Sequence, residues 1–318
     1  PKGKGGAIYL DGTTREPGKI EEIVNTSFKN NQAVNTAHKT DLAEGGAIYN
    51  GTGTLTIKAN EGGTSEFTGN TVKQFDGTIT SNAIYMAKDA RNVDSVLALE
   101  ATTGGQIIFN DGIDGDTDYS ITVTGDETGR VAFNNKISNA SGIVSENVTL
   151  GLGATENGQA DLENVKLTLK SGTLDMQDDE IRTVKTGEFS STADVKLNID
   201  ADLKAGEADK IEASSVAAGS EISLGSDNIL EDGLESITVF ANGNSPQFVN
   251  LDNFAAFSKD YKYTFSEGGS GILDVASQEQ TLTGLNGAIK DNTETKSYSV
   301  AENDMVSGDL GKLEGSAL

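Results

Sequence analysis

Apolar and polar residues alternate along many short stretches of this chain. Residues 55–57, 121–123, 165–169 and 195–203 follow this period of two, and turn-forming residues separate one stretch from the next. A period of two is typical of a strand that buries one face. No amphipathic run of more than about ten residues indicates a long helix, which excludes doubly wound α/β folds. The pattern therefore predicts an all-β protein.

Two short motifs recur in the N-terminal part of the chain. Gly-Gly-Ala-Ile-Tyr occupies positions 5–9 and 45–49, and the variant Ser-Asn-Ala-Ile-Tyr occupies 81–85. Phe-x-x-Asn occupies 28–31 and 67–70, so the two motifs alternate. A fixed period of this size indicates a repeat architecture such as a solenoid. The residues that define the two motifs are Gly5, Gly6, Phe28, Asn31, Gly45, Gly46, Phe67 and Asn70.

A unit of about 20 residues made only of strands and turns cannot bury its apolar face alone, and stacking such units solves the problem. We therefore predict a parallel β-helix in which a coil of roughly 22 residues adds one strand to each of three parallel sheets. At about 4.8 Å per coil, the chain would form a rod on the order of 65–70 Å long.

Both motifs have a structural interpretation in such a coil. The paired glycines at 5–6 and 45–46 allow a sharp corner without Cβ clashes. The Asn of Phe-x-x-Asn suits a turn in the left-handed conformation, and Asn side chains can form ladders between coils. The Phe of the same motif is expected to point inward and to stack on the Phe of a neighbouring coil.

The motifs resemble the passenger regions of type V autotransporters, especially chlamydial polymorphic membrane proteins, in which Gly-Gly-Ala-Ile is paired with Phe-x-x-Asn. The matching segments are 5–8, 28–31, 45–48, 67–70, 104–110, 197–203 and 206–211. The resemblance implies a right-handed parallel β-helix that is exported to the bacterial surface. It implies no catalytic residue.

The pattern of the sequence changes after residue 225. Residues 261–265 and 271–275 are typical of a hairpin, 237–240 of a further strand, and aromatic residues concentrate here. We divide the chain into a β-helix repeat region, 1–225, and a second part, 226–318, which either continues the β-helix or forms a β-rich cap with a hairpin. A cap that shields the end of the core is favoured over an aromatic surface for carbohydrate or protein.

The chain is strongly acidic, with 24 Lys and Arg against 49 Asp and Glu and a formal net charge of -25. Nucleic acids and anionic lipids bind clustered basic residues, so neither partner is expected. The absence of Cys excludes disulfides and thiolate zinc sites. No apolar run approaches the roughly 20 residues that span a bilayer, so direct membrane insertion by this segment is not expected.

Few residues in the sequence are candidates for catalysis or metal binding. His38, the single histidine, lies in a polar stretch and is interpreted as a loop residue rather than as part of a catalytic triad. Asp114, Asp116 and Asp118 have the spacing that begins an EF-hand loop, but later positions depart from that pattern, so they form a partial calcium candidate. No catalytic residue and no cofactor is predicted.

A second acidic pair, Asp200 and Asp202, alternates with apolar residues, which places both carboxylates on one strand face. Lys204 and Lys210 follow closely. Paired carboxylates are what a β-helix polysaccharide lyase or glycosidase would use. The outward face of an ordinary strand has the same pattern, and we favour that interpretation.

These patterns predict a non-enzymatic structural and adhesive rod that presents binding loops, either on the bacterial cell surface or secreted. The expected partner is a host-cell protein or glycan, or a neighbouring bacterial surface. Two alternatives stay open: a self-assembling surface filament unit, since open β-helix ends can stack, and a carbohydrate-active β-helix enzyme that acts through the carboxylates near Asp200.

Overall fold

The chain folds as a parallel β-helix, which confirms the predicted fold class. Two parallel sheets, called B and C below, run along the molecule, and a third, sheet A, covers only the first coils, where the chain passes from A to B to C before it returns to A. In later coils isolated bridges take the place of sheet A. The structure is a computed structural model, and the residues it describes are 3–11, 22–36, 41–89, 92–116, 118–156, 158–258, 261–279, 286–290 and 295–299.

Sheets A and B form two sides of the coil, with strands numbered along the chain. Sheet A consists of β1 (Ile8–Asp11), β5 (Ile48–Gly51), β10 (Ile84–Met86) and β13 (Ile113–Gly115). Sheet B consists of β2 (Ile23–Val24), β6 (Thr54–Ala59), β11 (Val96–Ala101), β14 (Tyr119–Gly125), β16 (Ala140–Glu146), β20 (Lys166–Leu169), β22 (Thr183–Ser190) and β25 (Lys210–Val216).

Sheet C is the longest sheet, and a short strand, β24 (Glu207–Ala208), pairs with it in the antiparallel direction. Its parallel strands are β3 (Phe28–Lys29), β7 (Thr64–Thr68), β12 (Gln106–Phe109), β15 (Arg130–Phe133), β17 (Val148–Leu152), β21 (Gly172–Asp175), β23 (Val195–Asp202), β26 (Glu221–Glu231) and β28 (Gln247–Phe248). At about 4.8 Å between neighbours, these parallel strands extend over about 40 Å, so the predicted rod of 65–70 Å is too long.

The first coils are much longer than predicted. Ile8 pairs directly with Ile48, and Phe28 with Phe67, so the repeat of about 40 residues is one coil and not two. Both motifs therefore lie on the same coil, on sheets A and C. The added length includes a small sheet D, formed by β4 (Gln32–Val34), β8 (Thr71–Lys73) and β9 (Ile79–Ser81). Later coils have the predicted size, since Ile121 pairs with Ile143.

The core lies inside the coil, where the period of two places it. Ile107, Val131, Leu150 and Leu174 occupy one inward-facing row of sheet C, and each is completely buried. Burial of each such side chain stabilises the folded state by roughly 1.5–3 kcal/mol. Each coil adds its own residue to this row, which is how short strands share a continuous core.

A four-stranded antiparallel sheet joins this core at the C-terminal part. It consists of β27 (Ile237–Thr238), β29 (Ala256–Phe257), β30 (Tyr261–Gly269) and β31 (Ile272–Glu279). The predicted hairpin is confirmed by the pairing of β30 with β31, and Tyr263, Phe265 and Leu273 point into the core. Parallel pairing persists as far as β28, so this part contains both a continuation of the β-helix and a β-rich cap.

The remaining short elements lie outside these sheets. They are the hairpin β18 (Ala154–Thr155) and β19 (Gly158–Gln159), the pair β32 (Asn286–Lys290) and β33 (Thr295–Ser299), and a single 3-10 turn at Leu251–Asn253.

Candidate functional site

The Gly-Gly pairs form the stacked corners that the sequence predicts. Gly5 and Gly45 have φ values of +63° and +67°, which favour glycine. A Cβ on Gly46 would lie 2.2 Å from the carbonyl oxygen of Asn82, and one on Gly6 would lie 2.0 Å from that of Gly46. Successive corners are therefore in backbone contact, and the glycines are structural.

The Phe residues of Phe-x-x-Asn stack inside the coil, as predicted. The ring centroids of Phe28 and Phe67 are 5.0 Å apart, and those of Phe67 and Phe109 are 4.6 Å apart. Phe133 continues the stack at 5.5 Å. In-register parallel pairing places these residues directly above one another.

The Asn residues of the same motif form the predicted ladder. Asn70 Oδ1 accepts hydrogen bonds from the backbone N (3.1 Å) and Nδ2 (2.9 Å) of Asn31. Asn70 Nδ2 donates to the carbonyl oxygen of Phe28 and to Asp111 Oδ2, at 2.8 and 2.7 Å. Asp111 thus takes the next position of the ladder. Sequence reasoning missed this role, although Phe109-Asn110-Asp111 is a variant of the motif.

Two of the three aspartates of the calcium candidate have separate partners, and the third, Asp118, is exposed. Asp114 Oδ1 accepts from Asn139 Nδ2 at 2.8 Å. Asp116 accepts from the hydroxyl of Tyr85 at 3.0 Å and from the backbone N of Lys88 at 2.8 Å. Within the described ranges, no group of three or more His, Asp or Glu side chains could hold a metal ion. The geometry therefore gives the calcium candidate no support, and His38 lies outside the described residues.

Asp200 is buried, although it alternates along β23 with the core residues Ile199 and Ala201. Its side chain is completely buried, and its two oxygens accept hydrogen bonds from the backbone N of Asp178 and from Asn228 Nδ2, at 2.8 and 2.7 Å. Asp209 is equally buried and accepts from the backbone N atoms of Asp200 and Arg182, both at 2.8 Å. Burial raises the pKa of Asp209 to about 7, although these two donors oppose the shift.

Asp202 has a different role from Asp200. Its Oδ1 accepts from the backbone N of Lys204 at 3.0 Å and of Ala205 at 2.8 Å, so it stabilises the turn that leads into β24. The segments at 197–203 and 206–211 therefore form one strand-turn-strand unit closed by buried carboxylates. Along β23, Asp200 and Asp202 alternate with the core residues Ile199, Ala201 and Leu203, but groups from neighbouring coils cover Asp200, which makes it inaccessible.

Asp227, on β26, is the most unusual carboxylate of the described chain. It pairs with the core residue Ile199, and only 8% of its surface is exposed. Neither carboxylate oxygen has a hydrogen-bond partner among the described residues. Desolvation raises the pKa of Asp227 to about 8.

A shallow cleft of about 240 Å³ crosses the outer face of sheet C. Ala132 on β15 and Asp175 on β21 line it, and Gly151 on β17 lies between these two residues in the same row of the sheet. Arg130 extends over Gly151, since a Cβ there would lie 2.6 Å from Arg130 Nη2. Arg130 Nη1 donates to Asp175 Oδ2 on β21, so an ion pair spans the cleft.

Exposed apolar side chains gather at sheet D. Leu42, Phe75 and Ile79 are 58%, 52% and 55% exposed. The side chain of Gln74 binds both the backbone N and O of Ala43, at 2.9 and 3.1 Å, which holds the segment of Leu42 against the β8–β9 turn. Apolar side chains grouped on a surface mark interaction sites more often than isolated ones do.

No protein-family model, curated protein or solved structure matches the chain. The resemblance to autotransporter passengers therefore stays a prediction carried by the motif residues. Among the described residues, no helix is long and apolar enough to cross a membrane.

Proposed function

We propose that the chain is a structural and adhesive rod of the autotransporter-passenger type, displayed on a bacterial surface or secreted, that binds a host-cell protein or glycan through surface loops. The observation that carries the proposal is that the motif residues and the exposed apolar residues have different roles along the coil. The motif residues are used internally for corners, stacks and ladders. The elaboration at sheet D, by contrast, exposes apolar side chains.

The proposed role involves no catalysis. The carboxylate on which the alternative enzyme would depend, Asp200, is completely buried, and both of its oxygens already accept hydrogen bonds. A general acid or base has to reach the reacting group of its substrate. The geometry therefore favours a binding role over glycan cleavage.

Localisation is tested by labelling intact cells of the source organism with antibodies raised against the purified chain. We expect labelling without permeabilisation, or recovery of the chain from the culture medium. Signal only after cell lysis would refute the proposed surface or secreted location.

Adhesion is tested with the fluorescently labelled chain on cultured epithelial cells. We expect saturable binding that falls at least fivefold in the double variant Phe75→Ser with Ile79→Thr, because the sheet D surface loses its apolar contacts. Leu234→Ser is the matched control, since Leu234 is 61% exposed but lies outside sheet D. Absence of saturable binding, or an equal loss in both variants, would contradict the proposal.

A further inference from the structure

We propose that the cleft on the outer face of sheet C binds one unit of a neutral polysaccharide chain. The inference deepens the proposed binding role and rests on it, but it concerns a surface separate from sheet D. Arg130, Ala132 and Asp175 line one part of the cleft, and Asn134, Gln177 and Asp178 line it as well.

The shape of the cleft follows from two small residues in one row of the sheet. Ala132, Gly151 and Asp175 lie side by side on β15, β17 and β21. Ala132 leaves a depression beside the larger, partly exposed Ile108, and Gly151 leaves room for the Arg130 side chain to lie over the sheet. The volume of about 240 Å³ is below the roughly 300–1,000 Å³ of sites for drug-sized ligands. It suits a single ring of a longer chain that continues along the sheet.

The polar groups of the cleft offer donors and acceptors together. Arg130 supplies guanidinium N–H groups, and its bond to Asp175 holds them above the floor. Gln177 Nε2 donates to the carbonyl oxygens of Ile199 and Ser226, at 3.0 and 3.2 Å, which fixes the side chain and leaves its amide oxygen as an acceptor. Sugar hydroxyls both donate and accept, so they match such a mixed set better than a purely anionic or cationic group does.

Charge favours a neutral ligand. Arg130 is paired with Asp175, and Asp178 is paired with Arg182 through a bond of 2.7 Å. Arg182 also binds Glu180, so carboxylates already engage both guanidinium groups near the cleft, and the whole chain carries a net charge of -25. The field of so acidic a protein repels anionic polysaccharides.

The test uses the purified chain and four defined probes: maltohexaose, cellohexaose, mannohexaose and the anionic hexagalacturonate. We expect at least one neutral hexamer to bind, with a dissociation constant in about the millimolar range that a small open site allows. Titration of the 15N-labelled chain should shift the Arg130 Nε–Hε resonance. If none of the neutral hexamers binds at 10 mM, or if hexagalacturonate alone binds, the proposal is overturned.

Two variants locate the site. Gly151→Val displaces Arg130, because its Cβ would lie 2.6 Å from Arg130 Nη2. This atom is the end of a flexible side chain, so the fold is retained while binding falls at least tenfold. Arg130→Met should give a similar loss. Lys196→Met is the matched control because Lys196 continues the row of Arg130 on the same sheet. Equal affinity of Gly151→Val and wild type, at unchanged melting temperature, would refute the assignment.

The outcomes separate this inference from the proposed function. If the sheet D variant loses cell binding and no hexamer binds, only the assignment of the cleft as a polysaccharide site is refuted. If a hexamer binds but the chain does not adhere to cells, the polysaccharide site is supported and the adhesive role is refuted.

Discussion

The buried carboxylate of Asp227 predicts an unusual dependence of stability on pH. Its pKa of about 8 in the folded chain lies far above the ordinary value of 3.8. The unfolded chain therefore releases this proton at lower pH than the folded chain does. Between these two values the folded state holds more protons, so the free energy of unfolding falls as pH rises.

The size of the effect follows from the difference between the two pKa values. A difference of about four pKa units, at about 1.4 kcal/mol per unit, means that Asp227 lowers the free energy of unfolding by at most roughly 5–6 kcal/mol at pH above 8. At pH 5 the same group lowers the free energy of unfolding by only about 1.5–2 kcal/mol. Wild type should therefore lose about 4 kcal/mol from this group between pH 5 and pH 9, which is a large part of the stability of an ordinary domain.

The Asp227→Asn variant removes the titration and keeps the shape of the side chain. We expect it to be more stable than wild type at pH 9 by several kcal/mol, and the advantage to shrink steadily towards pH 5. Urea unfolding followed by circular dichroism at both pH values measures the difference. Asp209, whose pKa is also raised, titrates in both proteins and does not affect the comparison.

The control for this experiment is Asp194→Asn, because Asp194 is exposed on the outside of the coil. It should leave the pH profile of wild type unchanged. Carboxyl 13C resonances provide a direct reading of the Asp227 titration. Parallel stability profiles for wild type and Asp227→Asn, or a resonance that titrates near pH 4, would refute the reasoning.

Three further substitutions, two of them with a comparison variant, test the coil itself. Asn70→Ala should lower the free energy of unfolding by about 2–4 kcal/mol because it leaves buried ladder partners unsatisfied. Asn31→Ala should lower it by less, since Asn31 is only partly buried. Equal losses in the two variants would contradict the ladder. Phe67→Ala should cost about 3–5 kcal/mol, whereas Phe75→Ala should change stability by less than about 0.5 kcal/mol. Gly46→Ala should disrupt the first coils, and a normal far-ultraviolet spectrum and melting temperature would argue against the stacked corners.

Several features of the fold could be predicted from local patterns. The period of two identified which side chains face inward, and the recurring Phe-x-x-Asn motif identified Phe28 and Phe67 as neighbours in a stack. Parallel strands in register repeat every contact from coil to coil, so an identical motif predicts an identical environment. The hairpin of the C-terminal part was also readable, because its strands are adjacent in sequence and joined by turn residues.

The candidate site and the carboxylates were not predictable in this way. Arg130 and Asp175 are 45 residues apart and meet because β17 between them carries Gly151 at the crossing point. Asp200 has the alternation of an outward strand face, yet it is completely buried. Alternation reports only that successive side chains point to opposite faces, and it does not report whether neighbouring coils cover the outward face.

The sequence by itself determined that this protein is a coil of short parallel strands around a thin apolar interior, because inward-facing periodicity and repeated corner residues are local properties. Only the tertiary structure decided that the 40-residue repeat is one coil, and which polar side chains meet on its surface. The physical reason is that corners between sheets vary in length without disturbing the core. Contacts between coils therefore join residues whose separation in the sequence no local pattern encodes.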